Sequence, residues 1–331
     1  MDRFKAYRLT ETPDRKIRAE FVELQLEDLD PGEVVVRVAY SDINYKDALA
    51  ATGKGKILRR ASCIGGIDFS GTVVSSTDAR FAKGDAALGV GYELGVSHHG
   101  GYSQYARVPA NWLMKLPQGM SLWDAMAFGT AGYTAGIAVV RMEHEGLKPA
   151  SGPVIVNGAT GGVGSIAISS FSRLGYHVVA LTGKANEADW LNKLGAKEVK
   201  LRSEIDFSKI KPLDKATWAG AVDNLGGEVL AWILSTMREN GVVGSIGLAA
   251  SASLNTTVMP FILRGVRLLG INSGESSYDV RDTVWRRLAT DLRPPLLKEM
   301  CRTIPFSELP KAFDDFINAK VRGRIVVDLN E

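Results

Sequence analysis

Three glycines recur at every third position in Val154-Ile155-Val156-Asn157-Gly158-Ala159-Thr160-Gly161-Gly162-Val163-Gly164. That spacing suits a pyrophosphate. Gly158 permits a sharp turn, Gly161 lets the backbone approach phosphate oxygens, and Gly164 lets a following helix pack closely on the preceding strand. A small-residue apolar run, Ser165 to Phe171, continues from it. The start of that helix offers unpaired N–H groups and the positive end of a dipole. A glycine triplet alone is no more than a flexible turn. Here a β-branched strand leads in, a helix leads out, and a second strand follows at Tyr176 to Leu181, so the motif reads as a dinucleotide site.

The tip of that second strand bears on which dinucleotide. In NAD-preferring sites of this kind a carboxylate at the tip holds the ribose hydroxyls. This chain has Thr182-Gly183-Lys184 there, with no acid. Arg202 follows the next strand. Each cation alone is an ordinary surface charge; together at strand tips they suit a 2′-phosphate, and NADPH is the expected cofactor. One local basic cluster, Lys54, Lys56, Arg59 and Arg60, reads as a solvated loop or, more sharply, as a contact for substrate phosphates, with Arg59 and Arg60 as the candidates. His98-His99 are adjacent, poor spacing for two metal ligands on one strand face, and no metal site is expected. Cys63 and Cys301 suggest no disulfide framework, and no residue sits in a nucleophile elbow.

Around these residues the elements fall into three stretches. The first is β-rich: Lys5 to Leu9, Ile17 to Leu26, Val34 to Tyr40, a turn feeding a strand over Ile64 to Val74, Ala86 to Val90 and Ser103 to Val108, with glycine turns between. Ser41 or Asp42 is positioned to cap a short helix. Helical periodicity then runs over Ser121 to Val140. From Val154 strands and helices alternate, which means βαβ units and a parallel sheet. The last stretch has a strand at Gly265 to Ser273, helices at Asp279 to Leu292, with Arg281, Arg286 and Arg287 on its solvated side, and Phe306 to Ile317, then a closing strand at Arg324 to Leu329. With 331 residues, 45% hydrophobic, and a net charge of +3, the chain has room for two domains and no charge excess pointing to nucleic acid or a membrane surface. It has no apolar run long enough to span a bilayer and no apolar leader, so a cytoplasmic location is expected.

Five segments occur in order: Ser41-Asp42-Ile43-Asn44-Tyr45-Lys46-Asp47, Gly66-Ile67-Asp68-Phe69-Ser70-Gly71-Thr72-Val73, Gly129-Thr130-Ala131-Gly132, the glycine motif, and Val258-Met259-Pro260-Phe261-Ile262-Leu263-Arg264. Over essentially the whole chain they resemble the acrylyl-CoA reductase and quinone oxidoreductase branch of the zinc-independent medium-chain dehydrogenases/reductases. The resemblance implies an α/β fold: a Rossmann doubly wound parallel sheet over 125–273 that binds NADPH, and a β-rich GroES-like catalytic domain from 1–124 with 274–331. It also implies a homodimer, paired through the strand Val266 to Ile271.

Zinc-dependent relatives carry a cysteine near Ile43-Asn44 and a His-Glu pair near Ile67-Asp68, and this chain does not. A carbonyl couple ordinarily needs a Lewis acid on oxygen, whereas an enoyl thioester, enone or quinone accepts hydride with hydrogen-bond help alone. The resemblance places Tyr45 and Asn44 before the nicotinamide. Tyr45 is the first candidate for holding the substrate carbonyl or giving the α-proton, or is a packing tyrosine; Asp68 ranks below it. The candidate cofactor set comprises Tyr45, Thr130, Gly158, Thr160, Gly161, Gly162, Val163, Gly164, Thr182, Gly183, Lys184, Arg202, Leu248, Ile262, Ser273 and Asn318. Three readings stand: an NADPH-dependent reductase of acrylyl-CoA to propionyl-CoA, an NADPH quinone or enone reductase, and a non-catalytic NADPH-binding protein.

Overall fold

The computed structural model describes residues 3–330. They form two compact units: one runs up to Thr130 and resumes at Lys298, the other is Ala131–Leu297.

The first unit is built on the β-branched run Val34–Asp42. It pairs antiparallel with Asp68–Ser76, Tyr105–Val108 and Arg324–Asp328. Ala86–Val90 and Leu113–Lys115 extend the seven-stranded sheet on one side, and Cys301–Pro305 joins it in parallel on the other. A three-stranded sheet orders Ile17–Leu24, Phe4–Glu11 and Ser62–Ile64. Strand alternation sends Val34, Val36 and Val38 into the core and Arg37 outward. Each such valine contributes about 1.5–3 kcal/mol by leaving water. Ser62–Ile64, Leu113–Lys115 and Cys301–Pro305 have no counterpart in the hydrophobic pattern. They are short and form because a neighbouring strand offers an open edge.

The second unit is a six-stranded parallel sheet in the order Glu198–Leu201, Val178–Thr182, Val154–Asn157, Trp218–Asp223, Met237–Ser245, Arg267–Gly270. That order, with the first strand central, is the doubly wound dinucleotide-binding arrangement. Ile155, Val179, Leu181, Ala221 and Val243 form its core with Ile233 and Leu234 of the helix Gly227–Ser235.

Residues 274–297 pack with this second unit. The Trp285 ring stacks on Tyr133 with centroids 5.8 Å apart, and Ser170 Oγ donates to the carbonyl of Leu292 at 2.8 Å. Within the helix Tyr278–Ala289, Arg281 is buried at 2% exposure, contrary to its expected place on the solvated side. Its guanidinium donates to the carbonyls of Ser273, Gly274 and Ser276 and lies over the Tyr133 ring, so the loop captures it. Among the described residues no helix is long and apolar enough to cross a membrane.

Candidate active site

In the first unit the strand Val34–Asp42 runs into the helix Tyr45–Thr52. The expected cap at Ser41 or Asp42 falls instead on Asn44, because both earlier residues remain in the strand. The Asp47 carboxylate accepts the Asn44 backbone N–H at 2.8 Å and the Ile67 N–H at 3.0 Å, tying the helix start to the segment before Asp68. Tyr45, the next residue, is 50% exposed, and its hydroxyl has no hydrogen-bond partner among the described residues.

Beneath Tyr45 lies a buried polar cluster. The Asn44 amide donates to Asp42 at 2.7 Å and to Asp68 at 2.8 Å, and its oxygen accepts from Arg324 at 3.2 Å. Asp68 also accepts the Thr130 backbone N–H and the Thr130 hydroxyl, both at 2.6 Å. Arg324 donates to Asp42 at 2.7 Å, with side chains 2% and 0% exposed. Its other donors reach the carbonyls of Ile43 and Ala127. Gly129 makes room for this pair. Its φ of +49° lies in the left-handed region, and a Cβ there would strike the Asp42 carboxylate. That break in the helix Leu122–His144 presents the Thr130 N–H to Asp68.

Three buried carboxyl groups thus lie close together, and the one guanidinium among them pairs with Asp42. Burial, reinforced by the Asp68 carboxylate, holds Asp42 well above the ordinary carboxylate range although Arg324 pulls the other way. Burial also pushes Asp47 up to about 7, with Asp68 adding to it against the N–H groups that Asp47 accepts. At these two groups desolvation exceeds the opposing attractions, so Asp42 and Asp47 retain protons where exposed carboxyls have lost them.

In the second unit the strand Val154–Asn157 ends in the glycine turn and the helix Gly162–Arg173 begins. Gly158 has φ +56°, and a Cβ on Gly164 would strike the Gly158 carbonyl, so the third glycine does what close packing requires. A Cβ at Gly161 would meet only the Gly158 oxygen, at 3.3 Å, leaving an open cradle over the first N–H groups of the helix. Asn157 holds the turn from below, donating to Asp223 at 2.5 Å and accepting the Asn224 N–H at 2.6 Å. At the neighbouring tip the Thr182 hydroxyl accepts the Lys184 N–H at 3.0 Å. A Cβ built on Gly183 would lie 3.4 Å from the Arg202 guanidinium, so Arg202 stands over the tip. That guanidinium is exposed and has no hydrogen-bond partner among the described residues. The cradle and the tip fit a dinucleotide with an extra phosphate.

The other candidates are scattered. Thr160 is buried beside the turn, whereas Leu248 and Ile262 are 68% and 73% exposed. Ser273 belongs to the loop gripped by Arg281. Asn318 ends the helix Leu309–Ile317 in the first unit, which packs on Tyr45–Thr52. His98 sits edge-on to Trp112, and His99 Nδ1 accepts the Ile64 N–H at 3.1 Å, so both have structural work.

Residues 30–118 match the model of the alcohol dehydrogenase GroES-like domain, and residues 162–290 that of the zinc-binding dehydrogenases. Acrylyl-CoA reductase AcuI of Ruegeria pomeroyi is 46% identical over 315 residues, 95% of this chain and 96% of its own. YhfP of Bacillus subtilis, provisionally named a quinone oxidoreductase, is 48% identical over 92% of this chain and 93% of its own. This chain belongs to the acrylyl-CoA reductase and quinone oxidoreductase branch of the medium-chain dehydrogenases/reductases. Two solved structures of the family superpose closely. YhdH of Salmonella enterica in complex with NADP has a TM-score of 0.96 at 43% identity, covering 98% of this chain and all of the other. Bacillus subtilis YhfP with NAD bound has a TM-score of 0.97 at 45% identity, covering 99% and all of the other.

Against that family background, sequence reasoning missed Asp42, Asp47 and Arg324 as members of the cluster. Their one signal was the density of acids in Ser41 to Asp47. Arg324 opens an apolar strand and stands 280 residues from the Asn44 it touches.

Proposed function

We propose that this chain is an NADPH-dependent reductase of an activated C=C bond, with acrylyl-CoA, reduced to propionyl-CoA, as its substrate. The exposed Tyr45 phenol, without a partner among the described residues and seated on a fully hydrogen-bonded base, carries the reading. Family membership with AcuI supports the substrate, and Arg202 over Gly183 supports NADPH.

Bound NADPH supplies a hydride to the β-carbon. Tyr45 donates to the thioester oxygen, where charge develops as the double bond is reduced, and the α-carbon then takes a proton that derives from solvent. Both amide donors of Asn44 and its oxygen are committed to Asp42, Asp68 and Arg324, so Asn44 is a positioning residue. Asp68 is wholly buried and acts through Thr130 and Asn44. The Thr130 hydroxyl proton goes to Asp68, so toward a ligand Thr130 presents an acceptor.

Steady-state NADPH oxidation with acrylyl-CoA and with a panel of small quinones, in the native enzyme and in Tyr45→Phe, tests this. We expect turnover of the thioester to dominate and to fall roughly 10²-fold or more in the variant. Full turnover by Tyr45→Phe removes Tyr45 from the chemistry. Turnover of quinones alone selects the second reading, which the relationship to YhfP favours.

We further propose a cytoplasmic homodimer. The two cysteines are unpaired, and the edge strand Arg267–Gly270 has pairing groups to offer a second copy. Light scattering at twice the chain mass is expected; a monomer refutes the dimer.

A further inference from the structure

The first unit holds a cavity of about 910 Å³ that none of the groups above uses. Five cations line it: Arg15, Lys46, Lys56, Arg59 and Arg60, against one carboxylate, Glu11. Two of the five are neutralised from behind. Arg60 grips Asp30 with contacts of 2.9 and 2.7 Å, and Arg59 meets Glu93 at 3.0 Å. Arg15, Lys46 and Lys56 have no ion-pair partner among the described residues, and all three are exposed. Arg15 is also held at φ +61°, a conformation that arginine rarely adopts, in the hairpin turn between Phe4–Glu11 and Ile17–Leu24. Ile57, Leu58 and Val96 give the same cavity an apolar wall.

A recess with unpaired cations on one side and aliphatic side chains on the other is complementary to a phosphorylated nucleotide. Its place in the chain says whose. Lys46 directly follows Tyr45, and Lys56 to Arg60 lie in the loop that leaves the same helix. The cavity therefore shares its wall with the chain segment that carries the phenol assigned to the thioester, and the pantetheine arm has to span the distance between the two. We propose that it holds the 3′-phosphoadenosine diphosphate of a coenzyme A thioester, with Arg15, Lys46 and Lys56 meeting phosphates. Arg59 and Arg60 are fixed by their acids as its rim. This rests on the enoyl-CoA reading and adds a handle remote from the reacting carbons.

The test compares acrylyl-CoA with acrylyl-pantetheine, which lacks the nucleotide, in the native enzyme and in the triple variant Arg15→Gly/Lys46→Gln/Lys56→Gln. Glycine suits the positive φ at position 15, so the first change removes charge without backbone strain. The native enzyme is expected to prefer the CoA thioester in kcat/KM. The variant should lose that preference by roughly tenfold or more, through KM, equivalent to about 1.4 kcal/mol. An unchanged preference overturns the proposal. Should the native enzyme reduce neither thioester, the enoyl-CoA reading fails by itself. Binding of adenosine 3′,5′-bisphosphate, with saturating NADP+ present to fill the second unit's site, then decides the cavity. Weaker binding by the variant supports it as a nucleotide site, and equal binding overturns it.

Discussion

Replacing Lys184 with glutamate and Arg202 with alanine is expected to lower kcat/KM for NADPH by roughly 10²–10⁴-fold, if each removes a charge-assisted hydrogen bond to the 2′-phosphate worth about 1.5–3 kcal/mol. The same pair of changes should leave NADH turnover the same or raise it. A glutamate at position 184 places a carboxylate where the ribose hydroxyls of NADH are held in acid-tipped sites. Gly183 carries no side chain, and the Arg202 guanidinium stands over it. The Thr182 hydroxyl fixes the backbone of Lys184. Bacillus subtilis YhfP was solved with NAD and Salmonella YhdH with NADP, so family membership alone does not choose the cofactor. Initial rates over a range of both cofactors check the prediction. Equal losses with NADPH and NADH would mean that the two cations only support the fold.

The second large effect is on stability. Arg324→Met is expected to destabilise the first unit by about 3–5 kcal/mol, the usual consequence of removing one partner from a buried pair. Arg324 and Asp42 are almost wholly buried, and the guanidinium also serves Asn44 and two backbone carbonyls. Without it Asp42 stays buried beside Asp68 with its ion-pair partner removed. Arg324→Lys retains the charge but not the planar fork, so its loss should be smaller. Urea unfolding followed by tryptophan fluorescence and by circular dichroism measures both. A methionine variant as stable as the native protein would show that the cluster has lost its charge altogether and that Arg324 does not hold it together.

The dinucleotide half was legible because its determinants are local. Gly158, Gly161 and Gly164 sit within one turn, and Thr182 to Lys184 sit at one strand tip. The parallel sheet followed from the alternation of strands and helices, and its doubly wound order from the resemblance. In the first unit the sequence singled out only Asn44, Tyr45 and Asp68, and only through resemblance. What holds them is non-local: Arg324 reaches Asn44 from the last strand, and Thr130 reaches Asp68 through a break that Gly129 alone permits. Arg281 was misread for a related cause. Helical periodicity places it with polar residues, but the carbonyls of the loop at Ser273 to Ser276 draw it inside. The short strand Cys301–Pro305 forms because Arg324–Asp328 offers an edge, which no local pattern records.

The central claim is that hydride passes from NADPH to the β-carbon of an enoyl thioester. It is tested most directly by turning over acrylyl-CoA with NADPH deuterated at C4 in the transferred position and locating the label in the product. The account predicts one deuterium at C3 of propionyl-CoA and a solvent-derived proton at C2. Deuterium at C2, or oxidation of the cofactor without formation of propionyl-CoA, would contradict it.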